Sequence, residues 1–423
     1  MNKFIILDIN HGGDYLAAIL KDRGYEVIIY DIYQTRGEKR QKLAEKNIKV
    51  IDSIEKNYLD YTISYPVHCP NHFLSIFPNN EKMTHHELVK FLYNNKNNII
   101  EITGSKGKTT TAHTLAYLLS FEEDIYLNSS LGFNNVRAGD SKLISKDNSI
   151  SPGYTAKILS GSDNKFHVLE ESLGICGVSD ISILTSTTPI YKIKGGDGDS
   201  IEAKKQIFEL SEKNIIIDGK DKIANELANN FTKQIFRIWD DVSINLPDYL
   251  EIGKETCFTI DFKDLEIKSR SNGNYLIVGY VNPILFSCMA MKILNKNLTK
   301  LLGYLSEFNG VSNRLSVAKE YNYTKIIDKS GGFSEEGLRH LLYLLKRNYD
   351  MFYKNINLVI DLESVSNCQK IDVNSLDKTI GEFGNLIDNA FLLGNYDFER
   401  FKYLKDSSEL NIKNGDLLIE CGR

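Results

Sequence analysis

Short apolar runs bounded by polar or glycine breaks alternate along this chain with amphipathic stretches of helical period. FIILDI (4–9), a turn at Gly12-Gly13, a helical segment near 14–23 and EVIIYDI (26–32) predict a β-turn-α-β unit. Parallel strands need a crossover helix, so this opening predicts a Rossmann-like first domain. The Gly12-Gly13 turn fits two readings equally, a bend needing permissive backbone or an anion-binding turn at a helix N-terminus. Asn-rich YNNKNN (93–98) reads as a linker. A second set follows: strands at NIIEITG (98–104), HVLEE (167–171), SDISILTS (179–186), NIIID (214–218) and YLIVGY (275–280), with helices after residue 107 and near 200–212 and 284–294. A third begins near Gly310, with strands at KIID (325–328), INLVIDL (356–362), NAFLLG (389–394) and DLLIEC (416–421) and a helix over 335–347. No internal repeat is visible. The pattern predicts three α/β domains, 1–97, 98–308 and 309–423.

Composition narrows the function classes. A chain of 423 residues exceeds one ordinary core, and 42% hydrophobic with 25% charged residues is the balance of a soluble globular protein. A net charge of -5 and a pI near 6.0 argue against a nucleic-acid partner held by phosphate neutralisation. No apolar run reaches the roughly 18 residues of a membrane span. MNKFIILDIN enters a strand pattern at once and leaves no room for a signal peptide. Six cysteines without CxxC pairing read as reduced thiols, so a cytoplasmic location is expected.

ITGSKGKTTT (102–111) carries the strongest chemistry. A glycine loop leaving a strand and entering a helix turns backbone N–H groups toward phosphate oxygens. Lys108 adds a positive charge for the terminal phosphates, and the Thr109 hydroxyl is a ligand for Mg2+. The spacing is not GxxxxGK[ST], because Ile102 stands where that motif needs glycine.

TGSKGKTTT resembles the nucleotide loop of the Mur ligases, three-domain enzymes that couple ATP cleavage to joining a carboxylate to an amine. The resemblance runs along the chain. HVLEESLG (167–174) is similar to the strand ending in the family's magnesium glutamate, here Glu170; EAKKQIF (202–208) resembles the segment with a lysine carbamylated in many members, here Lys204. GYVNP (279–283) suggests Asn282 as an adenine contact. FNGVSNRL (308–315) and KIIDKSGG (325–332) suggest Arg314 and Asp328 as residues reaching the nucleotide. The implied architecture is a Rossmann-like N-terminal domain, a central P-loop ATPase-like domain and a C-terminal Rossmann-like domain. The implied nucleotide site is Gly104, Ser105, Lys106, Gly107, Lys108, Thr109, Thr110, Asn282, Arg314 and Asp328. Thr109 and Glu170 fall to the metal, and Lys108, Lys204 and Arg314 to catalysis. ATP and Mg2+ are the implied cofactors. Two departures stand out. Ser186, Ile190 and Tyr191 occupy the region where the family usually has Asn…Asp-His, which puts a second Mg2+ in doubt, and no histidine follows Asp328.

The first domain chooses the substrate in this family, and here it holds His11, His68, His72, His85 and His86 of only eight histidines in the chain. His68-Cys69-x-x-His72 lacks a second closing pair for a structural zinc. Turn histidines around a buried cysteine are one reading, and imidazoles lining a pocket for an anionic ligand are another. LDINHGG, VHCP and THH are similar to segments of an archaeal branch of the family whose small-molecule substrate is a nickel tetrapyrrole carboxylate. That branch closes a carbon ring rather than forming an amide. An amide-forming peptide ligase and a degenerate ATP-binding regulatory module remain the alternatives.

Overall fold

The computed structural model describes residues 3–35, 37–54, 58–94, 96–161, 165–329, 335–349, 351–361, 373–393, 400–405 and 409–422. They form two compact units, one of residues up to Val242 with Asn282–Lys296, the other of Ser243–Val281 with Asn297–Arg423.

The first unit opens with β1 (Lys3–Leu7), α1 (Gly13–Asp22), β2 (Glu26–Tyr30), α2 (Glu38–Glu45), β3 (Lys49–Ile51), β4 (Thr62–Tyr65), α3 (Asn71–Leu74), β5 (Lys82–Thr84) and α4 (His85–Tyr93). The strands form a parallel sheet of order β3-β2-β1-β4-β5. Helix α4 starts on a capping box in which Thr84 and Glu87 satisfy each other's backbone N–H groups.

Next come β6 (Ile99–Thr103), α5 (Lys108–Leu119), β7 (Ile125–Ser129), β8 (Gly132–Arg137), β9 (Asp140–Ser145), α6 (Pro152–Ser160), β10 (Phe166–Glu170) and β11 (Ile181–Leu184). They are followed by the short strands β12 (Lys192–Ile193) and β13 (Gly198–Asp199), then α7 (Ser200–Leu210), β14 (Asn214–Asp218), α8 (Lys222–Ala228), β15 (Ile235–Ile238) and β16 (Val242–Asn245). Their sheet runs β16-β15-β14-β11-β6-β10-β7-β8-β9. Strands β14, β11, β6, β10 and β7 are parallel to their neighbours, and β8 and β9 fold back antiparallel at the edge. One apolar core ties the two sheets: Leu16 and Leu20 of α1 and Leu88 and Leu92 of α4 pack with Tyr154, Ile158 and Leu159 of α6.

In the second unit the hairpin β17 (Thr256–Phe262) and β18 (Leu265–Ser271) precedes α9 (Ile277–Ile293), whose later turns belong to the first unit, and α10 (Leu298–Gly303). The strand expected at 275–280 is not one. Tyr275 makes a single bridge to Ser316, and α9 begins at Ile277, because the apolar run continues to Met291 and that length suits a buried helix. The last sheet holds β19 (Ser316–Lys319), β20 (Thr324–Lys329), β21 (Ile356–Asp361), β22 (Asn389–Leu393), β23 (Lys402–Leu404) and β24 (Leu417–Gly422) in the order β19-β20-β24-β21-β22-β23. Helices α11 (Glu335–Asn348) and α12 (Val373–Glu382) accompany it. Of KIIDKSGG, the final Ser-Gly-Gly lies outside the described residues.

Candidate active site

The turn between β6 and α5 is fixed from the side. Gly104 sits at φ 144°, where a Cβ would lie 2.2 Å from the Thr185 hydroxyl, so only glycine fits. Ser105 N–H donates to Ser186 O at 2.9 Å, and Lys106 N–H donates to Ser186 Oγ at 2.9 Å. Ser105 Oγ donates to Thr187 O and Pro189 O, and Thr185 Oγ1 donates to Lys106 O at 2.6 Å. Ser186, one of the departures from the family pattern, therefore braces the loop. Gly107 caps α5 in the left-handed region, Thr110 lies half-buried in the first turn, and Lys108 Nζ donates to Gly104 O at 2.9 Å.

Thr109 and Glu170 lie together. Thr109 Oγ1 donates to Glu170 Oε1 at 3.0 Å and lies 3.1 Å from Ser130 Oγ, while Ser130 N–H donates to Glu170 Oε2 at 2.9 Å. Glu170 is 2% exposed, so its carboxylate is buried and not at a solvated strand end. Hydroxyl and carboxylate oxygens are the hard donors that Mg2+ takes, so this set fits that ion; Ser130 carried no motif and enters only through the fold.

Lys204 is not a solvent-facing lysine of a charged helix. It is 1% exposed on α7, its Nζ has no hydrogen-bond partner among the described residues, and it lies 5.1 Å from the Tyr191 ring centroid. Burial, then the charge of Lys108, pushes its ammonium down to about 8. A buried, unpartnered amine near neutrality is able to react with carbon dioxide, and a carbamate would supply the missing polar partners.

Asn282 donates to Asp218 Oδ2 at 2.8 Å and accepts from Trp239 Nε1 at 3.2 Å, while Lys220 Nζ lies 3.0 Å from the Trp239 ring centroid. Within the second unit, Arg314 donates to Lys329 O at 3.0 Å, and its carbonyl accepts from the Tyr280 hydroxyl. Asp328 and Arg314 both act electrostatically on Tyr280.

The histidines divide. In the order β3-β2-β1-β4-β5 the chain reverses direction across the sheet between β1 and β4, and such a switch point opens a crevice at the carboxyl ends of the strands. His11 follows β1, His68 follows β4, and their rings lie 4.2 Å apart. Asp8, buried at φ 83°, accepts from Asn10 N–H at 2.6 Å, from His11 N–H at 3.1 Å and bonds the His11 ring at Nδ1. Burial alone would push the Asp8 carboxyl up; the bond and charge of His11 with the backbone donors hold it below the usual carboxylate range. Burial lowers His68 to about 4, and its Nε2 has no hydrogen-bond partner among the described residues. His85 and His86 are interior residues at the start of α4, lowered mainly by burial to about 3 and 4. His85 Nδ1 bonds Ser64 Oγ at 2.8 Å. His72 is exposed on α3 with its ring against Phe73.

The sequence held one cue to Asp8: a carboxylate three residues before His11, at the end of a predicted strand. No metal-binding grouping includes these histidines among the described residues, and the one such cluster is Glu101, Glu171 and Cys176, all buried. Of the two readings of Gly12-Gly13, the bend needing permissive backbone has a structural basis. A Cβ on Gly12 would lie 2.8 Å from Gly153 Cα, so the turn serves the close approach of α1 and α6.

One small apolar cluster joins the segments next to His68 and Lys204. Val67, beside His68, packs with Ile193 and with Ala203, beside Lys204, and Tyr191 and Leu173 lean on the same cluster. Among the described residues no helix is long and apolar enough to cross a membrane.

No family model matches the sequence. Over nearly its whole length the chain is similar to two proteins named coenzyme F(430) synthetase. It is 28% identical to that of Methanosarcina acetivorans, covering 93% of this chain and 90% of the relative. It is 26% identical to that of Methanocaldococcus jannaschii, covering 98% and 97%. Its fold is that of the Mur ligases: it superposes on the MurF ligase of Thermotoga maritima solved with ADP at a TM-score of 0.62 and 15% identity, covering 99% of this chain and 90% of that one.

Proposed function

We propose that this chain is an ATP-dependent ligase of the Mur type that activates a carboxylate as an acyl phosphate. We further propose that the acid is a propionate side chain of the nickel tetrapyrrole seco-F(430), joined to a ring carbon of the same molecule to close a carbocycle. The domains would divide as 1–97, 98–308 and 309–423, with the first choosing the acid. Full-length similarity to two coenzyme F(430) synthetases supports the substrate. The observation that carries the ligase reading is Lys204, a buried amine without a hydrogen-bond partner within the electrostatic reach of Lys108 and beside the imidazole crevice.

Phosphoryl transfer depends on positioning and on neutralising charge in place. Lys108 and the loop N–H groups that Ser186 does not engage hold the β- and γ-phosphates while the acid's oxygen attacks the γ-phosphorus and ADP departs. Thr109, Glu170 and Ser130 are the residues that would hold Mg2+, which supplies charge neutralisation on the phosphates. Lys204, carbamylated, orients the reacting groups and takes no part as a nucleophile. Arg314, Asp328 and Asn282 are assigned to the nucleotide. Because both reacting groups belong to one molecule, proximity supplies much of the rate. His11 and His68 line the acid's crevice, and His68, held neutral by burial, adds no second cation.

The test is phosphate release from Mg-ATP with candidate acids. Release with seco-F(430), and a product lighter by one water, is the expected result. Release that instead requires an added amino acid would mark an amide ligase, and none with any acid would mark a nucleotide-binding module. Lys204→Ala should abolish turnover beyond the loss of ATP binding; full ATP-dependent turnover in that variant removes its assigned role.

A further inference from the structure

We propose that His11, oriented by Asp8, is the base that takes the proton from the attacking ring carbon. This rests on the carboxylate-activating reading above. That reaction has two halves with different needs. Forming the acyl phosphate needs cations and oxygen ligands, which the phosphate loop and its neighbours provide. The second half needs a carbon nucleophile. A C–H bond breaks, and its electron pair forms the C–C bond to the acyl carbon. The C–O bond to phosphorus-bound oxygen breaks, phosphate leaves with that pair, and the proton has to go to a base.

Three observations single out the pair. Asp8 is a built element: it is fully buried, its backbone lies in the left-handed region at φ 83°, and its two oxygens are taken up by Asn10 N–H, His11 N–H and the His11 ring. A non-glycine residue in that region costs on the order of 1 kcal/mol and is held there by its surroundings. The bond fixes the ring's tautomer: Nδ1–H faces the carboxylate and Nε2 carries the lone pair. Second, His11 is the half-exposed imidazole of the crevice, with 46% of its side chain accessible, whereas His68, His85 and His86 have buried ring nitrogens. Third, the groups facing it stay neutral near pH 7. His68 at 4.2 Å is held down to about 4, Tyr33 at 5.7 Å between ring centroids is pushed up to about 12, and the neighbouring Cys69 thiol is also pushed up to about 12, each mainly by burial. An imidazolium at His11 therefore meets one anion, Asp8, and no competing cation among these groups. His11 is the catalytic member and Asp8 its positioning residue.

The full-length chain is incubated with Mg-ATP and seco-F(430), reading hydroxamate trapped by hydroxylamine and the product one water lighter. In His11→Gln the product should fall on the order of 10² to 10⁴-fold, with hydroxamate accumulating in its place. Added imidazole should restore product in His11→Ala. Asp8→Asn should shift the ratio the same way and displace the acidic limb of the product's pH profile, which a merely structural role would not move. An unchanged product-to-hydroxamate ratio in His11→Gln, or no rescue by imidazole, overturns the proposal. Should the wild-type chain itself release no phosphate with this acid, the reading beneath has failed, and that outcome is visible before any variant is made.

Discussion

The phosphate loop and the imidazole crevice lie in one compact unit and are built on opposite principles. The loop is contiguous: residues 103–109 carry glycine, lysine and threonine in order, and one neighbouring segment, 185–189, clamps them. The crevice is assembled at strand ends, with Asp8 and His11 after β1 and His68, its Nε2 buried, after β4. A contiguous site is fixed by local backbone geometry. A dispersed one can be rebuilt by changing a strand end.

Substitutions can separate the two, beginning with the largest expected effect. Lys108→Ala should lower acid-dependent phosphate release on the order of 10³-fold without altering acid binding, measured by titration of the acid in the absence of nucleotide. His68→Ala should raise the KM for the acid about tenfold, roughly 1.4 kcal/mol of lost contact, and leave ATP affinity unchanged. His72→Ala, on the exposed face of α3, should change neither; equal losses from His68 and His72 would break the division drawn here. Ser186→Ala removes the side-chain brace on Lys106 N–H, and ATP affinity should drop about fivefold, the net worth of one hydrogen bond near 1 kcal/mol.

The smallest effect concerns stability. Burial, then the charge of Glu101, pushes the Glu171 carboxyl well above its ordinary value. The folded state thus holds that proton more tightly than the unfolded chain does. Its contribution is complete below the unfolded carboxylate range and declines as pH rises toward the folded value. Glu171→Gln should flatten that decline, with Tm at pH 8 higher than wild type by about 2–4 °C per kcal/mol recovered and little difference at pH 4. A wild-type melting curve independent of pH over this range would contradict a protonated Glu171.

The same contrast explains what was legible in the sequence. Buried parallel strands read as continuous apolar runs, so the strands carrying Thr103 and Glu170 stand where the apolar pattern places them. The edge strands β8 and β9, NNVRAGDSKLIS across the turn, were silent because one of their faces meets solvent and their alternation is mostly polar. At 275–280 the apolar run was mistaken for a strand because a buried helix and a buried strand share composition, and only length separates them. In the site, Lys108, Thr109 and Glu170 were readable from local order. Ser130 and Asp8 were not, since a serine after a strand and an aspartate before a turn are common everywhere, and only tertiary convergence gives them neighbours. Lys204 looks ordinary in sequence because two charged neighbours in EAKK, Glu202 and Lys205, mask its inward direction.

The contact of Gly12 with Gly153 has a consequence for engineering. A Cβ on Gly153 would fall 2.0 Å from Gly12 O, so neither position accepts alanine without separating α1 from α6. His11 adjoins that seam, where main-chain contact adds to the apolar packing of α1 and α4 against α6 in setting the register of the two sheets. A chimera that grafts the opening sheet of one relative onto the rest of another must carry residues 151–154 along with it, or the transplanted imidazole will arrive out of register.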